Sequence, residues 1–169
     1  NDGTISKNTA TNGGGVYVGG SGKFYMHGGT ISGNSASSNS ASSNSGSSGG
    51  GVHIGGGAFT MTGGTISGNS ASNNGGGVHI GSGSTFTMTG GSRITGNNAG
   101  TGGGVYANGS FTVSGAVQIT GNKQGTSASN VYLRSDKTIT IGTNHLSSNA
   151  SIGGTTQNLP TNEDIAIAT

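Results

Sequence analysis

The chain has 169 residues, of which 39 are glycine and only 6% are Asp, Glu, Lys or Arg, and its formal net charge is +2. Glycine and β-branched residues are poor helix formers, so this composition excludes a helical bundle, and the irregular glycine spacing excludes collagen. The absence of cysteine excludes disulfides, thiolate catalysis and cysteine-based zinc sites. The basic residues are scattered, which argues against nucleic acid as a partner, and no apolar run is long enough for a membrane-spanning helix.

Internal repetition is the strongest signal along the chain. The isoleucine of the motif GTIS, or of its variants, recurs at intervals of 26, 35, 28 and 25 residues, at Ile5, Ile31, Ile66, Ile94 and Ile119. The longest interval contains the Ser/Asn-rich tract from Ser35 to Ser48, and removing about nine of its residues restores the common period. We interpret this tract as an expanded surface loop, either a tolerated expansion or a carrier of O-linked sugar.

Each repeat contains three short segments in a fixed order: TIS, then GVYV or GVHI, then FYM, FTM or FTV. Apolar and polar residues alternate in each segment, which indicates strands with one buried face, and the glycine-rich links between them suit sharp corners. Three strands cannot enclose a core alone, but stacked turns can, if each strand pairs in parallel with its equivalent in the next turn. The pattern therefore predicts an all-β, three-faced β-solenoid of about 5–6 coils of about 26 residues over residues 1–142. Inward positions in two successive turns are predicted to be Ile31, Val52, Ile54, Phe59, Met61 and then Ile66, Val78, Ile80, Phe86, Met88.

The period fails after residue 142, so residues 143–169 are predicted to form a closing coil, a cap or a linker. The chain begins inside a repeat, which leads us to expect a segment of a longer protein.

Asparagine recurs three residues after each of the periodic isoleucines, at Asn8, Asn34, Asn69, Asn97 and Asn122. Stacked amides can bond along a solenoid axis, so we predict an asparagine ladder. The alternative is a recurrent turn residue without a ladder, because asparagine tolerates left-handed backbone geometry.

One outward column on the second strand consists of large rings, at Tyr17, His53, His79, Tyr106 and Tyr132. One interpretation is a binding surface for a glycan or a protein, because aromatic faces stack on flat ligands. The other is cross-strand pairing that only stabilises the sheet. We predict no metal site, because two imidazoles without a carboxylate bind a metal ion poorly.

A second outward pattern, TxT on the third strand, comprises Thr60, Thr62, Thr87, Thr89, Thr112 and Ser114. Regular threonine columns resemble the ice-binding faces of some antifreeze solenoids, but Tyr25 and His27 interrupt this one a turn earlier and Gly142 a turn later. Threonine is also simply a good residue for an exposed strand.

Residues 28–36 and 63–71 both read GGTISGNSA, and the motifs GGGVHI and FTMTGG follow each copy. This combination is similar to the right-handed parallel β-helix repeats of large bacterial cell-surface proteins. Those proteins belong to the broad pectate-lyase-like superfamily, which includes adhesin-like proteins and polymorphic outer-membrane autotransporters. The resemblance covers about residues 1–142 and implies a right-handed coil and an extracellular or bacterial cell-surface location.

Many β-helices of that superfamily cleave polysaccharides, and glycoside hydrolysis needs two carboxyl groups that flank one bond. The four acids, Asp2, Asp136, Glu163 and Asp164, leave the middle coils without a carboxylate, so we predict no catalytic residue and no cofactor. We expect a non-catalytic stalk or adhesive segment whose partner is a glycan or another cell-surface protein. We expect no direct membrane insertion, and end-to-end or lateral self-association remains open. The alternatives are a fragment of a polysaccharide-active enzyme with its catalytic residues elsewhere, and an ice-binding solenoid.

Overall fold

The computed structural model describes residues 2–37 and 46–156, and in these ranges the chain forms strands and turns without a helix. The strands follow one another around about five stacked turns. In chain order they are β1 Thr4–Ser6, β2 Thr9–Ala10, β3 Val16–Gly19, β4 Lys23–Met26, β5 Thr30–Ser32, β6 Ser35–Ala36, β7 Val52–Gly55, β8 Ala58–Met61, β9 Thr65–Ser67, β10 Ser70–Asn74, β11 Val78–Ile80 and β12 Thr85–Met88. They continue with β13 Arg93–Thr95, β14 Asn98–Thr101, β15 Val105–Ala107, β16 Ser110–Gly115, β17 Gln118–Thr120, β18 Lys123–Gln124, β19 Ser127–Ala128, β20 Val131–Leu133, β21 Ile139–Leu146, β22 Ser151–Ile152 and β23 Gly154–Thr156.

Equivalent strands of successive turns pair in four sheets, which we name A to D in the order in which a turn visits them. Sheet A has the order β1-β5-β9-β13-β17-β22, sheet B β2-β6-β10-β14-β18-β19, sheet C β3-β7-β11-β15-β20-β23 and sheet D β4-β8-β12-β16-β21. All pairings are parallel except that of β18 with β19. The predicted parallel β-solenoid is therefore confirmed.

Sheet B corrects the prediction of three strands per turn. Its strands carry only small inward side chains, and Ala36, Ala71 and Ala99 form a separate buried cluster. The pattern of alternating large apolar residues, on which the sequence prediction depended, is missing from segments of two to five residues such as Ser35–Ala36 and Ser70–Asn74. A turn therefore has four strands, and the strand in sheet B is short and has almost no hydrophobic pattern in its sequence.

The core is a set of columns in which like residues stack on like. In sheet A the register pairs Ile5 with Ile31 and Ile31 with Ile66, and the column continues through Ile94, Ile119 and Ile152. All of these except the half-buried Ile5 and Ile152 are buried, as predicted. In sheet D, the rings of Phe59, Phe86 and Phe111 stack with centroids 4.8 and 5.2 Å apart.

Glycine is required at the corner between sheets B and C because neighbouring turns approach closely there. In the triplet before β11, Gly75 has a φ of 65°, in the left-handed region. A Cβ atom on Gly77 would lie 2.6 Å from the Gly104 carbonyl oxygen and 3.1 Å from the Asn97 amide nitrogen. The corner therefore has no room for a side chain.

The two irregular segments of the sequence are partly built into the coil. Ser35 and Ala36 form β6, which pairs with β2 and β10, and Ser47 and Ser48 are buried, so the Ser/Asn-rich tract joins the coil at both ends. Its residues 38–45 lie outside the described residues. Beyond residue 142, β22 pairs with β17 and β23 pairs with β20, so the parallel ladders continue to Thr156. The rest of the predicted cap or linker, including Pro160, lies outside the described residues.

Candidate functional site

The predicted column of rings on sheet C forms one continuous stack, which we call the ring ladder: Tyr17, His53, His79, Tyr106 and Tyr132. Each ring belongs to a residue that lies between two inward residues of its strand. His53, for example, lies between the buried Val52 and Ile54. The parallel register places the rings directly above one another. The structure thus brings all five predicted site residues together.

The rings stack face to face. Successive centroids are 5.2, 4.6, 5.2 and 5.2 Å apart, and the ring planes differ by 8–12°. The faces of the inner rings are therefore covered by their neighbours, and these rings present edges to the outside. Tyr17, at the first position of the stack, is 57% exposed, whereas the other four are partly buried. A flat ligand that needs an open ring face finds one at Tyr17 and not at the inner positions.

The two histidines occupy the most enclosed part of the ring ladder. The Nδ1 atoms of His53 and His79 are buried and have no hydrogen-bond partner. Burial lowers the pKa of His79 to about 4, and the neighbouring His53 adds to this effect. Burial also lowers the pKa of His53, and the backbone of Ser48 acts in the opposite direction and offsets part of this shift. Both rings are therefore held in the neutral form at neutral pH.

The stacked imidazoles are badly placed to share a metal ion. The lone pair of an imidazole nitrogen lies in the ring plane, and these two planes are 12° from parallel with centroids 4.6 Å apart. Lone pairs that point in the same direction do not converge on one ion at the roughly 2.0–2.1 Å that zinc requires. Among residues 2–37 and 46–156 there is also no group of three or more His, Cys, Asp or Glu side chains that could hold a metal.

The asparagine ladder is present at the corner between sheets A and B, and it includes a sixth member, Asn130. The backbone N and the Nδ2 of each asparagine both donate to the Oδ1 of the next one at 2.9–3.1 Å, through Asn8, Asn34, Asn69, Asn97, Asn122 and Asn130. From Asn34 to Asn122, each Nδ2 also donates to the carbonyl of the periodic isoleucine in the preceding turn at 2.9–3.0 Å. The repeat period did not predict Asn130, because this residue follows Asn122 by only eight residues, after the β18–β19 hairpin.

Left-handed backbone geometry lies one residue earlier than the sequence suggested. The residue before each periodic asparagine has a φ between 58° and 66°, at Lys7, Gly33, Gly68, Gly96 and Gly121. The asparagines themselves do not have a positive φ. In the recurring Gly-Asn pair, glycine therefore adopts the left-handed turn conformation, and asparagine forms the hydrogen bonds along the solenoid axis.

The threonines of sheet D form the first of the two expected outward columns, but Ser114, which was predicted to continue the second column on the outer face, is buried. Thr60, Thr87 and Thr112 are in register, and the structure adds Thr140 to this column, with Tyr25 at its first position. In the second column, the Nδ1 of His27 shares a hydrogen bond of 2.9 Å with the Oγ1 of Thr62.

The two acids that the structure describes lie in different turns, Asp2 before β1 and Asp136 between β20 and β21. Asp2 is exposed in the first turn, and Asp136 forms an ion pair of 2.7 Å with the adjacent Lys137. Glu163 and Asp164 lie outside the described residues.

Comparison of the chain with known protein families, with characterised proteins and with solved structures finds no significant match. In the part of the chain that the structure describes, no helix is long and apolar enough to cross a membrane.

Proposed function

We propose that this chain is a rigid, non-catalytic spacer segment of a bacterial cell-surface or secreted protein, built as a right-handed parallel β-helix. The observation that carries the proposal is the asparagine ladder, which joins successive turns with hydrogen bonds from Asn8 to Asn130 that are buried between Asn34 and Asn122. The ring ladder on sheet C adds a second set of side-chain contacts between successive turns. The extracellular location rests on the GGTISGNSA, GGGVHI and FTMTGG motifs.

A spacer must keep its shape and resist separation of its turns. Parallel backbone ladders in four sheets, together with two side-chain ladders, resist extension along the axis at every turn. About five turns at roughly 4.8 Å per turn give a solenoid only about 24 Å long, so the test concerns its mechanical strength. Single-molecule pulling should show one cooperative unfolding event at high force. Turns that peel off one by one at low force would contradict the spacer.

An adhesive surface is the second candidate, because Tyr17 and Tyr25 are both 57% exposed and belong to the same turn. Of the ring ladder, Tyr17 is the member with an open face for a sugar ring or an apolar side chain. A glycan and protein array with the unmodified chain tests whether any ligand is recognised. If one is, Tyr17→Thr and Tyr25→Thr should each weaken its binding about fivefold, as the loss of one stacking contact of roughly 1 kcal/mol predicts.

Tyr106→Thr is the matched control, since it removes a ring whose faces are covered by His79 and Tyr132. Equal losses from Tyr17→Thr and Tyr106→Thr would place the ligand along the edges of the whole ring ladder. An array without hits favours the spacer alone. Release of unsaturated sugars from polysaccharides would support the enzyme alternative, and thermal hysteresis would support ice binding by the threonine columns of sheet D.

A further inference from the structure

His53 and His79 form the only pair of stacked imidazoles in the described residues, and they lie in the middle of sheet C. In the neutral form, a proton on Nε2 leaves each buried Nδ1 as an unpaired acceptor. Protonation turns the Nδ1 of His79 into a donor that has no acceptor, and at either histidine it adds a charge to a partly buried ring. A second charge would then lie about one strand spacing away.

The backbone of Ser48 favours the charged form of His53, and beyond it the surroundings offer no group that would stabilise that charge. The neighbouring strands β3 and β15 contribute Tyr17 and Tyr106 to the stack, and Tyr132 of β20 lies one turn further, with Arg134 close enough to act on Tyr106. On the inner side, the strands present apolar residues to the core. Neither β3, β7, β11 nor β15 carries an Asp, Glu, Lys or Arg.

We propose that the His53–His79 pair makes the middle of sheet C an acid-sensitive point, at which protonation separates β7 from β11 while the asparagine ladder holds sheets A and B together. This property is independent of the proposed spacer function. Acid unfolding of most proteins is dominated by carboxylates. Here the middle turns contain none, so the two imidazoles are the groups that give these turns a response between neutral and acidic pH.

The direction of the effect follows from the depressed pKa values. The folded state binds a proton at these rings less readily than the unfolded chain does, so stability is complete above the ordinary histidine pKa of 6.5 and falls as the pH drops toward about 4. The asparagine ladder has no titrating group, so its hydrogen bonds do not change over this range.

The test compares thermal unfolding at pH 7.5 and pH 4.5 for the unmodified chain and for the double variant His53→Tyr/His79→Tyr. Tyrosine occupies the same column in three other turns, so the ring stack is kept while the titrating nitrogens are removed. The unmodified chain should lose roughly 5–10 °C more in Tm between the two pH values than the variant does. The exposed His145 supplies the matched control, and His145→Gln should behave like the unmodified chain.

Two further measurements keep the proposal falsifiable if the double variant folds poorly. Imidazole resonances of the unmodified chain should show His53 and His79 titrating below the ordinary histidine pKa of 6.5. Amide exchange, corrected for the direct effect of pH, should increase on acidification in β7 and β11 more than in β5 and β9. Ordinary titration of both rings, equal Tm losses in the variant and the unmodified chain, or a uniform increase in exchange would each overturn the proposal.

Discussion

The asparagine ladder and the ring ladder run along the same solenoid but stabilise it by different means. The ladder asparagines from Asn34 to Asn122 are at most 1% exposed, and their amide groups bond to neighbours in both directions. The rings of His53 and His79 have van der Waals contact with their neighbours but leave buried nitrogens without partners. The buried amides of the asparagine ladder thus have all their hydrogen-bonding groups paired. The ring ladder has no such requirement, so tyrosine and histidine can both occupy its positions.

This difference predicts that the asparagine ladder is the more sensitive of the two. Asn97→Ala removes the acceptor of the Asn69 backbone N and Nδ2, and the donor to the Ile66 carbonyl. Because each unsatisfied buried group costs about 1–3 kcal/mol, the free energy of unfolding should fall by about 4 kcal/mol in denaturant titrations.

The adjacent exposed Asn98 is the matched control, since it accepts one bond from Gly125. Asn98→Ala should cost less than about 1 kcal/mol. Similar losses at both positions would show that the ladder bonds add nothing beyond ordinary surface contacts.

The glycine corner beside the ladder gives the next largest effect. Gly77→Ala would press a methyl group against the Ile94 Cγ2 at 2.9 Å and against the Asn97 amide, so we expect a loss of about 2–3 kcal/mol. At Gly68 a Cβ atom meets nothing within 4 Å, and the left-handed φ of 61° is the only obstacle. Gly68→Ala should therefore cost about 1 kcal/mol, and a larger loss there than at Gly77 would refute the close-packing argument.

The ring ladder should be less sensitive. Tyr106→Thr removes two stacking contacts but leaves a residue well suited to an exposed strand, so the expected loss is about 1 kcal/mol by the same titration. A loss as large as that of Asn97→Ala would mean that the two ladders contribute equally.

The smallest effect is expected for the Ser/Asn-rich tract. Deleting residues 38–45 shortens the loop while keeping β6, Ser47 and Ser48, which are built into the coil. Loop length changes the free energy of closure only slowly, so Tm should change by no more than about 2 °C. A large decrease would show that the tract packs on the solenoid.

Features in which one side-chain type repeats at one spacing could be predicted from the sequence. They are the periodic isoleucines, the inward Val-x-Ile and Phe-x-Met pairs, and the asparagine ladder. Sheet B could not, since strands such as Ser35–Ala36 bury only a methyl group and carry too little apolar surface to stand out. Asn130 was missed because its role depends on a hairpin that changes the spacing. The ring column was predicted correctly as a set of residues, but its face-to-face stacking depends on side-chain rotamers that the sequence does not specify.

Each inner amide of the asparagine ladder accepts from the turn before it and donates to the Oδ1 of the turn after it, and this head-to-tail order has a genetic consequence. Each middle turn offers one Oδ1 acceptor to the turn before it and uses one from the turn after it, so a whole turn is a self-balanced unit. Unequal recombination that duplicates or deletes one repeat of DNA therefore leaves no buried amide unpaired. The length of such a protein can change between generations in steps of about 4.8 Å per repeat, without any compensating substitution.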